Sequence, residues 1–155
     1  MKIEELLNDI KERFGSGILD MDRKSAKRAY IQIDPKKVTE IVRYVFKERG
    51  LRFNTASGVD DFDALEILYH FSHDPSNFTI SLRAVLKDKT DPHIDTITTV
   101  TASAWWIERE LHELFGIEFD GNSDLRTLLL PDDWPKGVYP LRKDFLPPKR
   151  DSRKT

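Results

Sequence analysis

From Phe78 to Leu86 the chain reads FTISLRAVL, and Phe78, Ile80, Leu82, Ala84 and Leu86 fall on one side of an unbroken period of two. Only a strand with one buried face explains nine residues of that pattern. Two further stretches repeat it. RAYIQI (28–33) sets Ala29, Ile31 and Ile33 against Tyr30 and Gln32, and ALEILYHF (64–71) aligns Leu65, Ile67, Tyr69 and Phe71. LRFNTASG (51–58) reads as a fourth strand. The links 59–63 and 72–77 are short and carry Asp and an Asp-Pro pair, which suits antiparallel hairpins. A sheet that is apolar on one face must bury that face under helices. The expectation is an α+β fold: a mostly antiparallel sheet of about four strands, packed by helices on one face.

The helices are equally legible. Ile3, Leu6, Leu7, Ile10 and Phe14 make one stripe that Gly15 stops, and GSGILDMDRKS reads as a loop. Asp34-Pro35 supplies an N-cap and a first-turn proline for the run Val38, Ile41, Val42, Val45, Phe46, which Gly50 closes. A third helix, AWWIERELHELF, ends at Gly116, with Thr101 or Ser103 placed to cap it. Past Phe119 the periodicity fades, and Pro131, Pro135, Pro140, Gly121 and Gly137 forbid long elements. We therefore divide one structural unit into an α+β domain, 1–119, and an irregular C-terminal arm with a basic tail, 120–155.

Composition excludes several kinds of chemistry. The chain has no cysteine, which removes disulfides, zinc–thiolate sites, iron–sulfur ligation and thiol nucleophiles. A net charge of −2 argues against a general nucleic-acid binder. No apolar run reaches the ~18–20 residues of a spanning helix. The charged N-terminal helix does not read as a signal peptide.

No catalytic spacing is complete. Gly15-Ser-Gly17 follows no strand and lacks a third glycine, so it is not a dinucleotide loop. His112-Glu113 begins a zinc motif, but Gly116 stands where the second histidine belongs. Glu108 and His112, four apart, and His70 with His73 remain the metal candidates, although residues three apart on a strand face opposite ways. Asp60, Asp61, Asp63 and Glu66 read as a charged hairpin tip rather than a calcium loop. No serine lies in a nucleophile elbow. Glu110 and Glu113, with Arg109 beside them, read as a charge-balanced surface.

What remains is concentrated in 105–145. Ile107, Leu111, Leu114 and Phe115 form a stripe sufficient to dock the third helix, which leaves Trp106 on another face. Trp105 and Trp106 either widen the core or face a partner, since Trp and Arg are common interface anchors. Beyond the helix, Asp124-Leu125-Arg126 and Pro140-Leu141-Arg142-Lys143-Asp144 each join an apolar residue to a guanidinium. The arm is either an extended adhesive segment or a loop wrapped on its own domain. The tail carries Arg142, Lys143, Lys149, Arg150, Arg153 and Lys154 against Asp144 and Asp151, suited to an acidic surface or to a free end.

These residues carry a resemblance. WWIERELHELFGIEFDGNSDLRTLLLPDDW followed by YPLRKDF closely resembles the signature of the 30-kilodalton subunit family of respiratory complex I. It spans Trp106, Glu108, Arg109, Glu110, Glu113 to Ile117, Phe119, Gly121, Asp124 to Arg126, Leu129, Asp133, Trp134 and 140–145. Departures fall at Asn122, Ser123 and Thr127, and the chain stops ten residues past Phe145. In these it looks more like the short relatives in membrane-bound energy-converting nickel–iron hydrogenases and in ferredoxin- or deazaflavin-type dehydrogenases. The resemblance implies a non-catalytic scaffold subunit of a membrane-attached, ion-pumping oxidoreductase, without a cofactor of its own. Iron–sulfur clusters, and nickel–iron in a hydrogenase, would belong to partner subunits. It implies docking on the large catalytic subunit at the cytoplasmic face, touching the membrane only through the complex. Candidate interface residues are Trp106, Arg109, Glu110, Asp124, Leu125, Arg126, Trp134, Pro140, Leu141, Arg142, Lys143 and Asp144. The rival reading is a free-standing metal enzyme using His70 and His73 with Glu108 or His112.

Overall fold

The computed structural model describes residues 1–147. The basic tail beyond Pro147 lies outside the described residues. Five strands form the main sheet: β1 (Ile18–Ser25), β2 (Arg28–Ile33), β3 (Arg52–Asp60), β4 (Leu65–His73) and β5 (Phe78–Leu86). Their order is β1-β2-β5-β4-β3. The β3–β4 and β4–β5 hairpins are antiparallel, as their short links require, while β2 runs parallel to β5. The sheet is mostly antiparallel and the fold is α+β, with two corrections to the sequence reading. The first is the parallel pair. An alternating pattern fixes which face is buried, not the direction of the neighbour.

The second is β1, which occupies the stretch read as a loop. It pairs antiparallel with β2, with irregular register at both ends. As an edge strand it buries little, and its charged run Asp20, Asp22, Arg23, Lys24 is largely exposed, so no alternation marks it. Charge and broken register are how edges avoid pairing with another chain.

Three helices cover one face: α1 (Ile3–Phe14), α2 (Val38–Arg43) and α3 (Trp105–Phe115). Asp34 accepts a hydrogen bond from the Lys36 amide at 3.0 Å, but the first turn after Pro35 is a tight 3₁₀ turn. Past Arg43 the helix widens over Tyr44–Glu48, and Gly50 ends it at φ +69°. Neither Thr101 nor Ser103 caps α3; their hydroxyls bond each other at 2.7 Å.

One core joins Leu6 and Ile10 of α1, Ile41 of α2, Val45 of the widened turn after it, and Leu111 and Phe115 of α3 to the alternating residues of the sheet. Each large side chain so buried contributes roughly 1.5–3 kcal/mol. α3 sits directly on the backbone of β3: a Cβ at Gly58 would fall 2.5 Å from the Phe115 ring and 2.9 Å from Leu111. Before and after α3, β6 (His93–Asp95) and β7 (Glu118–Asp120) form a small parallel ladder. That ladder fixes where the chain enters the helix and where it leaves to begin the arm.

Candidate partner interface

α3 presents three faces. Leu111 and Phe115 are buried in the core, with Ile107 and Leu114 packed against it. Glu108 is buried on a second side. Its carboxylate accepts from Thr96 Oγ1 at 2.6 Å, the Ile97 amide at 2.8 Å and Asn122 Nδ2 at 2.9 Å. Burial raises its proton affinity above that of an ordinary glutamate, and those three donors counteract the rise. This binds the approach to the helix to the turn after β7.

The third face carries Trp106, Arg109 and Glu113, and the arm lies along it. Glu113 is buried and accepts from three successive arm amides: Leu128 (2.8 Å), Leu129 (2.6 Å) and Leu130 (3.4 Å). The reading of Glu110 and Glu113 as one charge-balanced surface is therefore wrong for Glu113. A segment with prolines and no regular ladder must find acceptors elsewhere, and one carboxyl group serves three of its donors. Arg109 completes the seam, donating from Nε to the Arg126 carbonyl (2.9 Å) and from Nη2 to the Thr127 carbonyl (2.7 Å).

The far end of the arm is fastened in the same manner. Arg142 donates to the Phe115 carbonyl at 2.6 Å and the Lys89 carbonyl at 2.8 Å, and it stacks over the Tyr139 ring. That ring lies against Gly116, where a Cβ would come within 2.4 Å of it; the same glycine has φ +72°. Side-chain space and backbone conformation both require glycine there. The Leu141 amide donates to the Leu114 carbonyl at 3.1 Å. The Lys143 amide donates to Asp60 Oδ2 at 2.7 Å, and Lys89 Nζ lies 2.5 Å from the other oxygen. Burial works against the Asp60 charge, but Lys89 and the Lys143 amide outweigh it and hold the carboxyl below its ordinary range. Asp60 is thus no part of a solvated hairpin tip, which corrects the reading of that acidic cluster. The arm wraps on its own domain.

Of the remaining candidates, Asp124 and Arg126 pair with each other, Nε to Oδ1 at 2.6 Å and Nη2 to Oδ2 at 2.7 Å. Leu125 packs on the core. Trp134 donates from Nε1 to the Val138 carbonyl at 2.7 Å and lies beside Phe145. Glu110 and Pro140 are half-buried; Asp144 is exposed. Among the residues that α3 and the arm leave facing outward are large apolar side chains. Trp106 is 68% exposed, Leu129 62% and Leu141 52%. Phe62, at 87%, sits on the β3–β4 tip beneath Lys143, whose Nζ is 4.8 Å from the ring centre. The resemblance offered no signal for Phe62 or Asp60, which lie outside the signature.

The histidines are dispersed. His70, on the uncovered face of the sheet, lies between Ser81 Oγ (2.8 Å) and Ser57 Oγ (3.1 Å). His73 stacks on Phe78. His112 Nδ1 meets the Ile117 carbonyl at 2.9 Å. Among the described residues, no three His, Asp or Glu side chains are gathered so as to hold a metal ion. No helix among them is long and apolar enough to cross a membrane.

The family model described as the 30 Kd subunit of respiratory-chain NADH dehydrogenase matches residues 31–151. A protein of Geobacter sulfurreducens, named as the C subunit of an NADH-quinone oxidoreductase, is 33% identical over 143 residues, covering 88% of this chain and 85% of that protein. A protein of Methanosarcina mazei, named as the C subunit of an F(420)H(2) dehydrogenase, is 32% identical over 150 residues, covering 94% and 92%. Among solved structures, a chain of the membrane-bound sulfane sulfur reductase, an archaeal respiratory membrane complex, superposes with a TM-score of 0.80. That match covers 92% of this chain and 84% of the other at 23% identity, a likeness of fold.

Proposed function

This chain belongs to the 30 Kd subunit family of respiratory-chain NADH dehydrogenase, and from that premise we propose that it is a non-catalytic scaffold in a membrane-attached, ion-pumping oxidoreductase. It docks on the large catalytic subunit through α3 and the arm, at the cytoplasmic face. The observation that carries this reading is the division of labour around the arm. Charged side chains of α3 and of the arm, Arg109, Glu113 and Arg142, hold the arm in place through main-chain groups, while the large apolar side chains Trp106, Leu129 and Leu141 are left exposed. Large exposed side chains on a firmly seated segment suit a partner surface, because little entropy is lost when a rigid segment binds.

Redox chemistry is assigned to partner subunits, with iron–sulfur clusters there and nickel–iron if the complex is a hydrogenase. The dispersed histidines give no support to a metal enzyme built on His70 and His73.

The docking reading also changes which residues test it. Arg142 and Arg109 hold the arm itself, so their loss acts on folding first. Trp106→Ala and Leu129→Asp leave every hydrogen bond of the arm in place. We expect either change to reduce co-purification of the large subunit at least tenfold, as an interface residue worth more than about 1.4 kcal/mol would. Full recovery of the complex with both changes combined, in a chain that melts like wild type, refutes the interface.

A further inference from the structure

His93 opens β6 and stands between two carboxylates. Its Nδ1 lies 2.9 Å from Asp120 Oδ1 on β7, and its Nε2 lies 2.9 Å from Asp91 Oδ1 in the segment before β6. An ionised carboxylate only accepts hydrogen bonds, and a neutral imidazole carries a single N–H. Both contacts are hydrogen bonds only when the ring is the imidazolium. The geometry therefore holds a proton.

The position of this ring gives it leverage. The segment from Asp88 to Pro92 is tied at both ends. At its start, Asp88 Oδ1 accepts from the amides of Thr90 (2.9 Å) and Asp91 (3.2 Å). The Lys89 carbonyl receives Arg142, and the Lys89 ammonium meets Asp60, whose other oxygen receives the Lys143 amide. At its end, the Pro92 carbonyl accepts from the Glu118 amide at 2.8 Å, and His93 closes the joint. One short strut thus connects the β6–β7 ladder to the seat of the arm's final turn.

We infer that Asp91, His93 and Asp120 form a proton-dependent latch that fastens the Asp88–Pro92 strut to β7 and so sets how firmly Lys89 holds the arm. The charged groups around the ring favour the proton on balance. Besides Asp91 and Asp120, Asp95 of the same strand and Lys36 from the turn before α2 line the same shallow cleft. Glu118 is the register partner of His93 on β7 and turns towards His112, 3.5 Å away. Lys36 opposes protonation; the carboxylates support it. Asp120 first, and then Asp91, raise the proton affinity of His93 above the ordinary value, against a smaller effect of desolvation.

The sign follows from linkage. A histidine whose proton is held more tightly in the folded chain stabilises it fully below the unfolded value of about 6.5. That contribution fades as pH rises through the higher folded value. The latch is closed below the ordinary histidine value and loosens as pH rises through the raised folded one. Its carboxylates are exposed, so salt weakens it. The latch is a property of this chain alone and does not rest on the docking reading.

The full-length chain in isolation tests it. Side-chain nitrogen resonances of His93 followed by NMR from pH 5 to 9 should show both ring nitrogens protonated at pH 6 and a midpoint above that of free histidine. Asp120→Asn should bring the midpoint back towards about 6.5. Across the same titration, protection of the Lys143 amide against hydrogen exchange, corrected for the intrinsic rate, should fall as pH rises through the His93 midpoint. In His93→Gln it should not change with pH. Asp91→Asn serves as a second variant that keeps the ring. A neutral single tautomer at pH 6 overturns the latch itself. Wild-type protection as independent of pH as that of His93→Gln overturns its connection to the arm.

Discussion

The sheet and the arm are held by different physics. In the sheet, Tyr69, Phe71, Ile31 and Ile80 are fully buried, and their value is the apolar area they remove from water. That force is non-directional, so one aliphatic side chain can replace another of similar volume. In the arm, residues 120–147 bury little. Its order comes from a few charged side chains that reach from α3 and the β3–β4 hairpin, or from the arm itself, to main-chain groups: Glu113 to three amides, Arg109 and Arg142 to four carbonyls, Asp60 to the Lys143 amide. Those contacts depend on the fork of a guanidinium or the two oxygens of a carboxylate. A lysine in place of arginine, or a glutamine in place of glutamate, does not reproduce them. The difference explains why the recognisable signature lies in 106–145 while the strands show only a pattern. Many sequences satisfy a pattern; few satisfy a set of directed bonds.

The largest effect should come from the sheet. Phe71→Ala empties a fully buried site and should cost about 3–5 kcal/mol. Denaturant unfolding followed by circular dichroism should show one cooperative transition at a lower midpoint, with the arm released in the same step. If the arm's amides lose protection well before the sheet in this variant, the two regions are less coupled than their shared core implies.

Glu113→Ala should separate them. It leaves the amides of Leu128, Leu129 and Leu130 without their acceptor, at a cost of about 2–4 kcal/mol confined to the arm. Limited proteolysis should cut between residues 120 and 135, while hydrogen exchange in β4 and β5 stays as in wild type. Loss of protection in both regions together would mean the arm is part of the cooperative core.

The same contrast governs what the sequence made legible. β2 and β5 begin and end where the alternation does, at Arg28–Ile33 and Phe78–Leu86. β1 escaped because an edge strand exposed to solvent has no face to mark. The α3 stripe was readable, and so was Gly116 as a helix stop, but not the Tyr139 ring that also requires glycine there. Glu113 was visible as a residue and opaque as a device. Its partners are amides, and every residue except proline has one, so no spacing in the sequence points to them. The choice between an adhesive arm and a wrapped one turned on that missing information.

The smallest effect lies in the Asp124–Arg126 pair, where a charged contact belongs to neither scheme. Arg126 faces solvent, and both partners sit within one turn of chain. Arg126 first, against some desolvation, and then its amide hold the Asp124 carboxyl at about 2. A carboxyl with a depressed value stabilises the fold above its unfolded value, near 3.8, and that contribution disappears as pH falls through about 2. Carbon-detected titration of Asp124 should therefore show a midpoint near 2 in wild type, and one returned towards the ordinary carboxylate range in Arg126→Gln. The melting temperature at neutral pH should barely move, because exposed pairs contribute little. Arg126 is also a docking candidate, and the variant distinguishes its two roles. If the Asp124 midpoint rises while the complex still assembles, Arg126 only shapes its own turn, and recognition falls to the apolar residues beside it. If assembly fails with the fold intact, Arg126 also contacts the partner directly. Its guanidinium has five donors and spends two on Asp124, which leaves donors free for a partner's acceptor.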